Sequence, residues 1–404
     1  MKTRLEPARL PALLGSQAVQ RTASYYLMMI YLGLSTAIIG PTLPALAQQT
    51  HSQLGDLGLI FLASSAGFTL ATALTSRVLD RLPGHMLLGL AQLGTALMLA
   101  LVPMAPRLPL LLAILALSGF GVGFINATTN TLLVWVHREG VGPFMNGMHF
   151  FFGLGAFAAP FIVAQVVGLP GGYRWVFWGV AGIGLLASLR LFTLGESPRA
   201  DHHHSPATEH DNRRLELPII ISSALFLFFY VGAEVAFGGW VFTYAVTLNL
   251  AGAAEAAYIT SAFWGAFTIG RLISIPLATR LPPITTILAA LAACLVLLAG
   301  AIWLPSSNAL LWTLAIGLGL FLAPIWPTGY TLAGQSVTFT ARASGLILLG
   351  DSLGGMVLPA VSGRVIEAAG APAVLVLVFG SLILTLAMFG AMLYWRAARP
   401  MARL

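Results

Sequence analysis

The sequence predicts an all-α membrane protein of twelve transmembrane helices, built as two related six-helix halves. Composition, uncharged runs of spanning length and a repeat at a fixed offset predict it. The 404 residues are 58% apolar and 8% charged, with a mean hydropathy of +0.89, whereas a soluble domain carries about 25% charged residues. Twelve spans of about 20 apolar residues need roughly 240 of them, close to what the chain supplies. This excludes a soluble enzyme, a disordered chain and, despite a net charge of +7, a nucleic-acid partner. The alternation of an outer-membrane barrel is absent. The single cysteine, Cys294, lies in an apolar run, so neither a disulfide framework nor a cysteine metal site is expected. The first twenty residues hold Lys2, Arg4 and Arg9 but no sustained apolar core, so no cleavable signal peptide is expected.

Charges punctuate the spans. No Asp, Glu, Lys or Arg occurs between Arg21 and Asp56, and this stretch carries span 1, near 22–48. Spans 2 to 6 follow at 57–76, 85–103, 108–135, 143–168 and 172–193. Residues 194–216 are polar, rich in histidine and charge, and read as a linker. Spans 7 to 12 occupy 217–246, 253–279, 284–304, 308–334, 341–366 and 372–396. The uncharged run 281–341 folds back at Pro305-Ser306-Ser307-Asn308. The domain division is therefore 22–193, linker 194–216, and 217–397.

Basic residues set the orientation. With the N-terminus inside, sixteen lysines and arginines fall on the inner side, among them Arg77, Arg81, Arg138, Arg190, Arg280 and Arg342, against Arg107, Arg174 and Arg364 outside. Both termini and the linker are expected in the cytoplasm, in a cytoplasmic (inner) membrane, so the net charge reflects topology. His202, His203 and His204 read as part of a solvated loop, since companion metal ligands are lacking.

The halves echo each other 199 residues apart. Tyr31 and Gly33 match Tyr230 and Gly232, and Gly40 matches Gly239. Gly155 and Pro160 match Gly354 and Pro359, and Arg81 matches Arg280. Several pairs at one offset on corresponding spans argue for a duplicated six-helix unit, and such repeats rock about a midplane site in many transporters.

Asp80-Arg81-Leu82-Pro83-Gly84, between spans 2 and 3, resembles the signature loop of the major facilitator superfamily, with Ser76 at the usual upstream glycine and His85 at the usual basic residue. Gly40-Pro41-Thr42-Leu43-Pro44 in span 1 is also common in that superfamily. The segments 230–240, 149–155 and 264–271 resemble the branch that contains fucose–proton symporters and sodium-dependent glucose transporters. Where the fucose symporter carries acids in spans 1 and 4, this chain has Ser35, Thr36, Asn126 and Asn130. The resemblance implies the major facilitator fold of two pseudo-symmetric bundles around a central cavity. It also implies a gating role for Arg77, Asp80 and Arg81, as a latch that steadies the state open to the outside.

An ionisable residue within a span is costly and is a functional candidate by default. Glu234 sits near the middle of span 7, one turn after Tyr230 and among Gly232, Ala233, Ala236, Gly238 and Gly239. A carboxylate in so apolar a setting suits a group that takes up and releases a proton; the alternative is a structural carboxylate bonded to a neighbouring helix or paired with Arg271. Asp351, near the middle of span 11, is either a second proton-coupling and solute-binding group or a partner of Arg271. Thr260, Trp264, Thr268 and Arg271 share a face of span 8 at spacings of four, four and three. A ring with polar neighbours suits a polyol, and Arg271, nearer the inner end, reads as a gating residue. Asn126 and Asn130 lie one turn apart, able to bind hydroxyls or to join helices. Asn146, His149 and Gly153 line a face of span 5, and the resemblance marks His149 as a site residue. Trp326 and Tyr330 lie beside Pro324 and Pro327, which should break span 10 and free backbone carbonyls.

The expected function is secondary active transport of a sugar or similar small polar solute by alternating access. The coupling ion is expected to be a proton bound at Glu234 and Asp351. It is favoured over sodium because no cluster of carboxylates and carbonyls for sodium stands out. Candidate solute contacts are Asn126, Asn130, His149, Tyr230, Glu234, Trp264, Trp326 and Asp351. No cofactor, resident metal or nucleic acid is expected. The chain should act as a monomer among membrane lipids, and the absence of a Walker A pattern argues against ATP-driven pumping. The rival readings are an exporter of amphiphilic drugs or lipids, favoured by 23 Phe and 9 Trp, and a non-transporting receptor on the same fold. An intramembrane enzyme lacks any recognisable nucleophile–base pair.

Overall fold

The computed structural model describes residues 17–198, 213–337 and 341–398. Lys2, Arg4, Arg9, Arg199, His202, His203, His204, Arg399 and Arg403 lie outside the described residues. The described chain is almost wholly helical, without strands. Eleven helices are long and apolar enough to cross a membrane, and a bent pair supplies a twelfth crossing.

The first crossing, α1, comprises Gln17–Ala37 and Ile39–Thr50, which meet at 46°. Pro41 explains the bend: its ring nitrogen cannot bond the Ala37 carbonyl one turn back. The first half continues with α2 (Leu59–Leu79), α3 (Gly84–Leu101), α4 (Leu108–His137), α5 (Val141–Val166) and α6 (Gly172–Phe192). The second half holds α7 (Arg213–Thr247), α8 (Ala253–Ala278), α9 (Pro283–Trp303), α10, α11 (Ala341–Ala369) and α12 (Ala373–Ala397). Span 10, α10, is broken into Asn308–Leu322 and Ile325–Ser336 around Pro324. Ser307 caps its start by accepting the Leu310 amide at 3.2 Å, at the turn expected there. Helix α7 starts four residues before the apolar run, because Arg213, Arg214 and Glu216 extend it with polar side chains that hydropathy does not count. Glu216 lies in its first turn, where the helix dipole favours an acid.

The 199-residue repeat is also a repeat of packing. Helix α1 packs on α5 and α7 on α11, α2 on α4 and α8 on α10, α3 on α6 and α9 on α12. Glycine makes the first contact close: a Cβ at Gly155 would strike the Ile30 carbonyl, and one at Gly354 the Phe228 carbonyl.

The halves meet along α2 with α11, α5 with α8, and the second part of α1 with α7. The end that carries the start of α1 and the close of α12 is called here the near end, its opposite the far end. Toward the far end Arg364 pairs with Asp56 at 3.1 Å, and Gln165 donates to the Tyr258 hydroxyl at 2.6 Å. Deeper, Ser261 donates to the Phe157 carbonyl at 2.7 Å. Backbones also touch there: a Cβ on Gly40 would meet the Gly239 carbonyl at 2.9 Å, and one on Gly363 would meet the Gly55 carbonyl at 2.6 Å. At the near end Arg77, Asp80 and Arg81 are exposed and form no ion pair with a described residue. The far end is closed.

Candidate functional site

The break in α10 decides the local chemistry. A helix that stops at Leu322 leaves carbonyls without their usual amide donors. The Tyr230 hydroxyl, from α7, donates to the Leu322 carbonyl at 2.9 Å, and Tyr230 is 0% exposed. In this state its hydroxyl is a brace between α7 and the broken helix, shielded from the central space.

Beyond the break, Trp326 turns inward. Its indole Nε1 donates to Asp351 Oδ1 at 2.7 Å, and its ring stacks on Tyr330 with centroids 5.1 Å apart and planes at 15°. The Tyr330 hydroxyl lies 2.8 Å from Ser344 Oγ. A pair of aromatic rings and a carboxylate are thus joined across α10 and α11.

Glu234 stands one turn beyond Tyr230 and interacts with its hydroxyl and, electrostatically, with Asp351 and Arg271. Glu234, Asp351, Arg271, His149, Trp326, Asn126 and Asn130 are all half-buried. Asn130 Nδ2 donates to the Asn126 carbonyl at 2.8 Å and lies 3.3 Å from Asn126 Oδ1, so part of the amide capacity is used within α4.

On α8, Thr260 and Thr268 are buried and bond back to their own helix at Ala256 and Trp264. A Cβ on Gly153 of α5 would strike Thr268, so these helices cross in close contact. Trp264 is half-buried, edge-on to Phe263 and Phe267, and against Gly238 of α7. Arg271 continues the same face toward the near end. Its guanidinium lies 4.6 Å from the Phe267 ring centroid, and its Nε is buried without a hydrogen-bond partner. No ion pair within 4.0 Å joins it to Glu234 or Asp351 among the described residues.

Two positions that the sequence reading named only in passing gain a setting in the structure. Thr36 is exposed beside the α1 bend while its flanking residues are buried, and its hydroxyl returns to Leu32 at 3.0 Å; a hydroxyl just before Gly40-Pro41 was the available signal. His85 is buried, with Nε2 2.9 Å from the Tyr25 hydroxyl and Nδ1 3.0 Å from the Gly195 carbonyl. It ties α1 and α3 to the segment that follows α6.

Comparison with known proteins agrees with this architecture. The profile described as Major Facilitator Superfamily matches residues 25–339. Sodium-dependent glucose transporter 1 of Xenopus laevis is 30% identical over 82% of this chain and 72% of its own length. Sodium-dependent glucose transporter 1A of Mus musculus is 29% identical over 94% of this chain and 97% of its own. Among solved structures, a D-xylose–proton symporter superposes with a TM-score of 0.79 at 15% identity, over 94% of this chain and 97% of its own, a likeness of fold. Twelve crossings, duplicated packing and a matching profile over most of the chain make it a multi-pass membrane transporter of the Major Facilitator Superfamily.

Proposed function

We propose that the protein moves a sugar or similarly hydroxylated small solute by alternating access, coupled to a monovalent cation. The observation that carries this reading is the pairing of Trp326 with Asp351 at 2.7 Å beside the stacked Tyr330 ring. An aromatic face takes the C–H side of a sugar ring while carboxylate and amide groups take its hydroxyls. Asn126 and Asn130 present amides from the first half, Glu234 and Asp351 carboxylates from the second. The same carboxylates are the proposed cation site. A proton is favoured over sodium because no cluster of carboxylates and carbonyls for sodium stands out in the sequence, although the glucose transporters named above are called sodium-dependent.

Both termini are placed in the cytoplasm by the excess of basic residues at the near end, in an inner membrane. On that orientation the structure is closed to the outside. The unengaged Arg77, Asp80 and Arg81 fit a latch that closes only when the opposite state forms. Arg271 reads here as a charged group of the central space as much as of the gate. The protein is taken to act as a monomer among lipids.

The test is a thermal-shift screen of the purified protein in detergent with D-glucose, D-xylose, L-fucose and amphiphilic cations, on wild type and Glu234→Gln. Stabilisation by a sugar that depends on pH in the wild type and not in the variant supports the reading. Stabilisation by amphiphiles alone, unchanged in the variant, overturns it and leaves an exporter.

A further inference from the structure

The likeness of the two halves fails at one place toward the near end. In the first half, Tyr26 of α1 stacks on Phe151 of α5 with centroids 4.7 Å apart, and Phe150 lies edge-on to Phe151. The Tyr26 hydroxyl donates to the Phe144 carbonyl at 3.0 Å, so aromatic rings bridge α1 and α5. At the positions 199 residues later stand Leu225, Leu349 and Gly350. The rings are gone, and a groove of about 300 Å³ runs between α7 and α11. Leu217, Ile221 and Leu225 wall it from α7, and Leu346, Leu349 and Leu353 from α11. All six are exposed. The floor is rigid, because a Cβ at Gly350 would strike the Ala224 carbonyl.

The α11 wall belongs to a longer strip. Leu346, Leu353, Ala360 and Glu367 follow one another at spacings of seven and so share a face. At the far end the first half covers that face: Ala360 packs on Gly58 and Glu367 on Gly55, just before α2. At the near end it is bare. Every lining side chain is apolar, so a hydroxylated solute finds no hydrogen-bond partner there. Asp351, on the same helix, is turned instead to Trp326 of α10. Charge marks the near rim. Helix α7 opens on Arg213-Arg214 and α11 on Ala341-Arg342. Helix α2, which runs from the far-end contact, closes on Arg77, with Arg81 just past its end, both exposed. The acids at these helix ends are Asp80 and Glu216, and Glu216 is buried.

We propose that the groove between α7 and α11 seats one acyl chain of an anionic phospholipid from the near leaflet, with its phosphate held at the basic helix ends. An apolar groove at membrane depth is filled by hydrocarbon, and a rigid floor lets it hold one chain in a fixed place. The arginines then choose the headgroup, since basic residues at a membrane surface attract anionic lipid. The first half has no such site, because Tyr26, Phe150 and Phe151 occupy the matching place with the protein's own rings.

The experiment is native mass spectrometry of the full chain, purified in detergent, stripped of lipid and titrated with dioleoyl phosphatidylglycerol or dioleoyl phosphatidylcholine. Wild type is expected to retain one phosphatidylglycerol about tenfold or more tightly than phosphatidylcholine. Leu225→Tyr with Leu349→Phe, which gives the second half the residues of the first, should lose that lipid. Val296→Phe, on the exposed face of α9, should keep it. Arg214→Gln with Arg342→Gln should keep one lipid of either kind and bring the two affinities to within about threefold. If the doubly filled variant does not purify as folded protein, Ile221→Trp fills the same groove and is read in the same way. Wild-type retention of phosphatidylglycerol in the filled variant overturns the proposal, as does a wild type that holds neither lipid or both equally. A wild-type dimer that the filled variant turns into a monomer also overturns it, and makes the groove a contact between copies of the chain.

Discussion

Gly40 and Gly239 hold the same position in the two halves, 199 residues apart, and they touch: a Cβ on Gly40 would lie 2.9 Å from the Gly239 carbonyl oxygen. This part of the far-end closure is therefore a contact of the repeat with itself, across the axis that relates the halves. It is made by backbone, with no side chain free to yield.

Gly40→Ala is thus expected to pry the far end open. The single native cysteine, Cys294, is buried, so a cysteine placed at exposed Thr36 reports access against a quiet background. Labelling of Thr36→Cys by a membrane-impermeant maleimide applied to the far side should rise several-fold in the Gly40→Ala background. Equal labelling in both backgrounds would contradict a glycine-limited contact.

The Asp56–Arg364 pair closes the same end with side chains instead. Arg364 is 60% and Asp56 30% exposed, so solvent screens the pair and its loss should cost about 0.2–1 kcal/mol. Arg364→Ala should shift the same labelling by about fivefold at most. The exchanged pair Asp56→Arg with Arg364→Asp should return it toward wild type, and raised salt should weaken the effect in the wild type.

Tyr230→Phe removes the only described donor to the Leu322 carbonyl, in a site fully sealed from water. An unsatisfied buried carbonyl costs about 1–3 kcal/mol. A lower unfolding midpoint in detergent is the expected result, with sugar-induced stabilisation retained. Loss of the sugar response at unchanged stability would make the hydroxyl a solute contact.

Trp326→Phe keeps a ring for Tyr330 and deletes the donor to Asp351. Hydrogen bonds to charged groups contribute about 1.5–3 kcal/mol, so sugar affinity should fall by at least tenfold if this pairing sets the geometry of the site. Titration of sugar-induced stabilisation in the variant measures it, and wild-type affinity would place the bond outside solute recognition.

The spans were legible because apolar length and charge spacing are local properties, and the α10 break because proline acts on its own helix. The partners of particular side chains were not. Spacing placed Tyr230 and Glu234 on one face and stopped there; that the tyrosine is consumed by Leu322, 92 residues away, depends on where a broken helix leaves its carbonyl. Likewise Arg271 read as a gate from its depth in span 8, while its seat on the Phe267 ring, with Nε buried and without a hydrogen-bond partner, shows only in three dimensions. Which end is closed was not encoded locally at all, since Gly40, Gly55 and Gly363 show their meaning only opposite another backbone.

The glycine seam between α7 and α11 carries one more consequence. A Cβ at Gly350 would strike the Ala224 carbonyl, as one at Gly354 would the Phe228 carbonyl, so the two helices are fused backbone to backbone. Glu234 rides on one and Asp351 on the other. A rigid movement of one half against the other would leave the separation of these two acids unchanged. Such a movement would instead change their distance from Asn130, which belongs to the opposite half.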